Sequence, residues 1–244
     1  MSGPASVPMP GAPRAAAPKA GRCTFPSCYA EFSRRAKRVA WSIGPRTSAH
    51  FAADHPVTPR CGPLFSTAMI RPYRGRRPTL SNTAYVDASA QVIGDVELGE
   101  RVTVWCNTTI RGDVNSIRIG SDSNVQDNSC LHVDRVYPLI VGERVVVGHS
   151  VTLHGCVIGD ECLIGMGATL LSGSKIGAGS IVAAGALVVE GAEFPPGSLL
   201  MGAPAKLRRP VSDAERERIR RNAASYVELG REYKEESQSS NGNQ

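Results

Sequence analysis

Three histidines, His132, His149 and His154, stand 17 and then 5 residues apart in a chain of 244 residues that has only five histidines in all. Neutral imidazole is a common ligand for divalent metals. Three imidazoles around an ion leave a fourth position open to water. A cation held there draws charge from that water and lowers its pKa towards neutrality, which makes a nucleophile without strong base. Zn2+ suits such a ligand set, and Fe2+ or Co2+ would also fit. Whether three rings so far apart in sequence can serve one ion depends on the elements that carry them.

Those elements follow from a period of six. Aliphatic residues recur at Val86, Val92, Leu98, Val104 and Ile110, then, after three extra residues, at Ile119, Val125 and Leu131. Four extra residues precede Val141, Val147 and Leu153, and one is missing before Ile158, Ile164, Leu170, Ile176, Val182 and Val188. The next position is often glycine, and two residues before the aliphatic the side chain is usually small, as at Ala90, Ser123, Cys156 and Ala186. Neither a helix nor an alternating strand repeats every six residues. The pattern predicts an all-β solenoid, a parallel β-helix of hexapeptide repeats in nearly six triangular coils over residues 69–200, with glycines and small residues at the corners. Aromatics make up only 5% of the chain, in keeping with a narrow prism. Pro195-Pro196-Gly197 and Gly202-Ala203-Pro204 read as breakers that end it. A linker and a helix follow over 201–236, the helix opened by the capping box Ser212-Asp213-Ala214-Glu215 and packed through Ile219, Ala223, Tyr226, Gly230 and Tyr233. Residues 237–244 read as a disordered tail.

Counting hexads around a three-sided prism puts Ile110, Leu131 and Leu153 on one face in successive coils. Arg111, His132 and His154 should therefore stack at about 4.8 Å per rung. Gln126 and His149 follow residues of another face and should point elsewhere. One chain then offers two ligands, and the third must cross an interface. A threefold arrangement would supply it and give equivalent sites.

The segments Ile110-Arg111-Gly112-Asp113, Ser123 through Asn128, Gly148-His149 and Leu153-His154-Gly155 resemble the gamma-class carbonic anhydrase family, as do Ile164 through Ala168 and Gly202 through Ala205. The resemblance spans about residues 70–236. It implies a left-handed β-helix, a homotrimer, and a metal held by His132 and His154 of one subunit and His149 of the next. It also implies that Arg111 and Asp113 form an interface ion pair and that Gln126 orients the metal-bound hydroxide. Asn124 and Asp127 would be polar neighbours of the site, and Tyr226 would line it. The implied reaction is reversible hydration of carbon dioxide to bicarbonate. Val114 follows Asp113 where better-studied members have Glu, and Asp134 is the only acid in the short segment Val133–Ile140. No dedicated carboxylate proton shuttle is therefore evident, as in a short-loop subgroup of weak or conditional activity. A hexapeptide acyltransferase or acyl-CoA thioesterase, and a non-catalytic metal-binding or assembly subunit, are the competing readings of the same scaffold.

The net charge of +6 invites a nucleic-acid reading, but nine basic and two acidic residues lie within 1–68, leaving −1 for the rest. That Pro/Ala/Arg-rich segment reads as a disordered extension or a transit peptide, without the aromatics that stack on bases. No nucleic acid or membrane partner is expected, since no run of about 18 apolar residues occurs. Seven cysteines without framework spacing point to free thiols in a reducing compartment, hence the cytoplasm, or an organelle matrix if the extension is a transit peptide. Cys106 and Cys130 lie near the site segments and are expected to be buried and inert.

Overall fold

The computed structural model describes residues 69–241. The expectations for residues 1–68 and for the last three residues lie outside the described residues. The chain winds as a left-handed parallel β-helix of about seven turns followed by one helix, α1, Asp213–Asn241. Each hexad gives a short strand, and strands of successive coils pair in parallel along three faces.

The registers align the aliphatic positions in vertical columns. The first face stacks Ile70, Val92, Ile110, Leu131, Leu153, Leu170 and Val188. The second stacks Leu80, Leu98, Ile119, Val141, Ile158, Ile176 and Phe194. The third stacks Val86, Val104, Val125, Val147, Ile164, Val182 and Leu200. Nearly all of these side chains are buried, and so are the residues two positions earlier, including Ala90, Thr108, Ser123, Cys156, Cys162 and Ala186. Two inward positions per hexad, one aliphatic and one small, fill a core too narrow for aromatic rings.

The hexads therefore continue beyond the aliphatic run of residues 86–188 at both ends, from Ile70 to Leu200. Pro195-Pro196-Gly197 does not end the prism. It forms a corner between Phe194 and Leu200, with Gly197 at φ +68°. The expected linker also contains a strand, Lys206–Pro210, antiparallel to Ser198–Met201.

Glycine plays two roles that the sequence does not separate. The glycines right after the aliphatic residues, Gly99, Gly120, Gly142, Gly159 and Gly177, form a column on the second face. There the next rung passes so close that a Cβ on Gly120 would lie 2.7 Å from the Gly142 backbone. The corners that need the left-handed conformation come two residues later. On the second face in the later coils they are glycines, Gly179 and Gly197. In the earlier coils the same corner carries Arg101, Asp122, Arg144 and Glu161, at φ 53°, 62°, 54° and 53°. Their stacked charges offset part of the steric cost of that backbone. Arg101 Nε donates to Asp122 Oδ1 at 2.6 Å and Arg144 Nε to Glu161 Oε1 at 3.3 Å.

Helix α1 lies along the third face. Its capping box forms as expected: Glu215 N donates to Ser212 Oγ at 3.3 Å, and Ser212 N donates back to Glu215 Oε2 at 2.9 Å. Ile219 and Ala223 are buried, Ile219 packing with Ile181 and Val211. Tyr226 and Tyr233 pack on Trp105, with ring centroids 5.7 and 5.1 Å away. A Cβ on Gly230 would strike Thr103 at 2.2 Å, so only glycine permits this approach. The helix continues to Asn241, past the expected end at 236 and through part of the segment read as a tail. Among the described residues, no helix is long and apolar enough to cross a membrane.

Candidate metal centre

The three irregularities of the repeat between Val86 and Val188 all fall at one corner, between the first and second faces. Three extra residues lie between Ile110 and Ile119, four between Leu131 and Val141, and one is missing between Leu153 and Ile158. The first insertion carries Asp113 and the second carries Asp134. Just before this corner Arg111, His132 and His154 stand in register in consecutive rungs, as hexad counting requires. The glycine column belongs to the second face, so these histidines replace no glycine in their own ladder. Their ring centroids are 5.1 Å apart, with His132 Nδ1 and His154 Nε2 facing each other at 3.2 Å.

The outer nitrogen of each ring is already engaged. His132 Nε2 lies 3.0 Å from Asp113 Oδ1, and Asp113 also holds Arg111. Burial raises the Asp113 carboxyl, but the bonds from His132 and Arg111 outweigh it and hold it below the ordinary range. His154 Nδ1 lies 2.9 Å from Ser172 Oγ, whose hydroxyl donates to Asp134 Oδ2 at 2.5 Å. That bond and the amide of Tyr137 hold Asp134 below the ordinary carboxylate range.

These partners fix the tautomers. A carboxylate only accepts, so His132 Nε2 must carry hydrogen. The single Ser172 proton goes to Asp134, so His154 Nδ1 must donate to Ser172. In the neutral rings both nitrogens that face each other are then lone pairs, and two acceptors 3.2 Å apart repel unless a proton or a metal ion lies between them. Two nitrogens bound to zinc at the usual distance lie about 3.3 Å apart in a tetrahedral site. The pair thus fits a divalent ion, with each outer nitrogen bonded as in metal-ligating histidines generally.

His149 belongs to a separate group at the edge of the third face. Its Nδ1 lies 2.9 Å from Asp127 Oδ2, which leaves Nε2 free, and its side chain is 45% exposed. It lines a groove of about 370 Å³ with Gln126, Met166, Asn222 and Tyr226. Gln126 Nε2 donates to Asn124 Oδ1 at 3.0 Å, while Asn124 Nδ2 is buried without a partner. Burial, and then the charge of Asp127, raises the Tyr226 hydroxyl. Among the described residues, no three His, Cys, Asp or Glu side chains of this single chain gather to hold an ion. The residues named from the sequence therefore form two clusters, one around His132 and His154 and one around His149.

Sequence reasoning missed Ser172. Its only signal is that it follows Leu170 by two residues, one rung beyond His154. Cys130 and Cys106 are not the buried thiols: Cys130 is exposed and Cys106 half-buried. Cys156 and Cys162 are the buried pair, with burial pushing their thiols up to about 12.

The family described as bacterial transferase hexapeptide (six repeats) matches residues 155–189. Over 169 residues the chain is 43% identical to the carbonic anhydrase of Geobacillus kaustophilus, covering 68% of this chain and 91% of that one. The chain belongs to the gamma-class carbonic anhydrase-like family. This carbonic anhydrase-like chain is also 49% identical over 166 residues to the uncharacterized transferase YtoA of Bacillus subtilis, covering 68% of this chain and 97% of that one. The crystal structure of a hexapeptide transferase family protein from Anaplasma phagocytophilum matches it with a TM-score of 0.65 at 34% identity, covering 68% of this chain and 98% of that chain.

Proposed function

We propose that this carbonic anhydrase-like protein assembles as a homotrimer that hydrates carbon dioxide to bicarbonate at three metal sites shared between subunits. His132 and His154 of one subunit and His149 of the next would hold the ion. The observation that carries the reading is the anchoring pattern: each of the three rings has one nitrogen held by Asp113, Ser172 or Asp127, which leaves the other as a lone pair in the neutral ring. A divalent ion held there would acidify water to a nucleophile at neutral pH, as it does in carbonic anhydrases.

The chain's own groups support the rest. Gln126 gives an amide hydrogen to Asn124 Oδ1, and its Oε1 is placed to accept from, and so orient, the attacking water. Tyr226 and Met166 wall the groove beside it. Water adds to the carbon of carbon dioxide, and one proton must leave for each bicarbonate formed. Asp134 is committed to Ser172 and to the amides of Val136 and Tyr137, so that proton passes directly to solvent buffer.

Stopped-flow hydration by zinc-loaded protein and by anaerobic iron-loaded protein tests the reading. A metal-dependent rate above buffer is expected. No rate, with the ion bound and the trimer intact, would leave a non-catalytic metal-binding subunit. The transferase names of two relatives favour group transfer as the second reading, and release of free thiol from acyl-CoA would support the acyl-transfer form of it.

A further inference from the structure

We propose that Ser172 and Asp134 are positioning residues that set metal affinity by locking the tautomer of His154, so that the loop 133–138 controls how tightly the ion is held. The inference rests on the metal-site reading above and concerns a part of the site outside the ligand set.

The chain of bonds runs in one direction only. Asp134 Oδ1 accepts the amides of Val136 at 2.8 Å and Tyr137 at 2.7 Å, which folds the loop on the carboxylate. Asp134 Oδ2 takes the Ser172 proton at 2.5 Å. Ser172 has no second proton, so its oxygen accepts from His154 Nδ1. His154 Nε2 is then left as a lone pair aimed at His132 Nδ1.

The loop is itself held against the prism. Asn115 Nδ2 donates to the Asp134 carbonyl at 3.2 Å. The Tyr137 ring lies over Gly173, so close that a Cβ on that glycine would sit 3.1 Å from the ring. Four extra residues in the repeat thus deliver one carboxylate to the rung above, where His154 needs it. Asp113 does the same for His132 from the first insertion. The difference is the hydroxyl interposed at His154. A direct carboxylate contact would fix the tautomer by itself, whereas a hydroxyl can reverse when its acceptor becomes a donor. Asp134 is what prevents that reversal.

The test uses the full-length protein and three variants. Ser172→Ala removes the acceptor from His154. Ser172→Thr keeps it. Asp134→Asn offers an amide donor, which lets Ser172 turn and donate to His154 Nδ1. Zinc affinity is read by chelator competition, and the His154 tautomer by nitrogen and carbon chemical shifts in the metal-free protein. Wild-type protein and Ser172→Thr should show hydrogen on Nδ1. Ser172→Ala should lose about 10- to 100-fold in zinc affinity. Asp134→Asn should move the hydrogen to Nε2 and lose affinity to a similar degree. The proposal is overturned if Ser172→Ala and Asp134→Asn, both folded, bind zinc within about twofold of wild type, or if the wild-type tautomer has hydrogen on Nε2. The tautomer readout needs neither metal nor turnover. Failure of carbon dioxide hydration in zinc-loaded wild type would therefore strike the functional reading and leave this one standing.

Discussion

His132 Nδ1 and His154 Nε2 face each other at 3.2 Å, as two lone pairs in the neutral rings, because Asp113 and Ser172 engage the outer nitrogen of each ring. An ion that binds between these two rings in the folded protein alone should stabilise the fold. Free zinc at a hundredfold over its Kd should add about 2.7 kcal/mol per site. Thermal unfolding with added zinc should show a higher Tm, and chelation should reverse it. An unchanged Tm would mean the pair holds no ion.

Replacing His149 should empty the site without disturbing the prism. The ring stands at an edge, 45% exposed, with Asp127 as its hydrogen-bond partner, so its loss removes little packing. His149→Ala should keep the circular dichroism of wild type and lose most bound metal. Full metal stoichiometry in that variant would show that His149 is not a ligand.

Proton release should depend on buffer. Asp134 is spent on Ser172 and two amides, and no other acid lies within Val133–Ile140. The hydration rate of metal-loaded protein should therefore rise with buffer concentration at constant pH and ionic strength. A rate independent of buffer would reveal a shuttle elsewhere in the chain.

The two kinds of glycine should behave differently when mutated. Gly120→Ala would drive a Cβ to 2.7 Å from the backbone of the next rung and should cost about 3 kcal/mol or more. Gly167→Ala meets no atom within 4 Å and pays only for its φ of +68°, about 1 kcal/mol. Urea unfolding midpoints at fixed protein concentration should rank them in that order.

The docking of α1 should weaken in acid. Glu161 is held below its ordinary 4.5 chiefly by Arg220 of the helix; burial pushes it up, and Arg144 of the prism adds to the lowering. Glu143 and Glu217 share these arginines, and Asp122 lies beside Arg144 and Arg220. A carboxylate lowered on folding contributes stability above its unfolded pKa, and that stability is lost as pH falls through the folded value. Glu161→Gln should therefore destabilise by under about 1 kcal/mol at pH 7 and by nothing in strong acid. A gap between variant and wild type that persists in strong acid would assign the effect to packing.

Most of the prism was legible because its rule is local. One inward aliphatic every six residues fixes the face of every neighbour, so the stacking of Arg111, His132 and His154 followed from counting alone. Phe194 was missed because an aromatic ring takes an aliphatic slot in the last coil, and the proline pair after it resembles a stop. The second inward column was legible only as a preference for small residues, and the left-handed corner was hidden because Arg101, Asp122, Arg144 and Glu161 stand where glycine would cost less. At the site, the breaks in the repeat, which first read as imperfections, deliver Asp113 and Asp134 to the histidines. Ser172 stayed hidden because its role depends on the direction of one hydrogen bond, which spacing does not encode.

The shared site is tested most directly by the hydration rate of mixed trimers, made by co-expressing His132→Ala and His149→Ala subunits and loading them with zinc. Each variant alone should be inactive, since every interface lacks a ligand. In random mixed trimers about one interface in four joins an intact His132/His154 pair to an intact His149, so about a quarter of the wild-type rate should return. No recovery in the mixture, with wild type active, would contradict a site built from two subunits, and so would full activity in either variant alone.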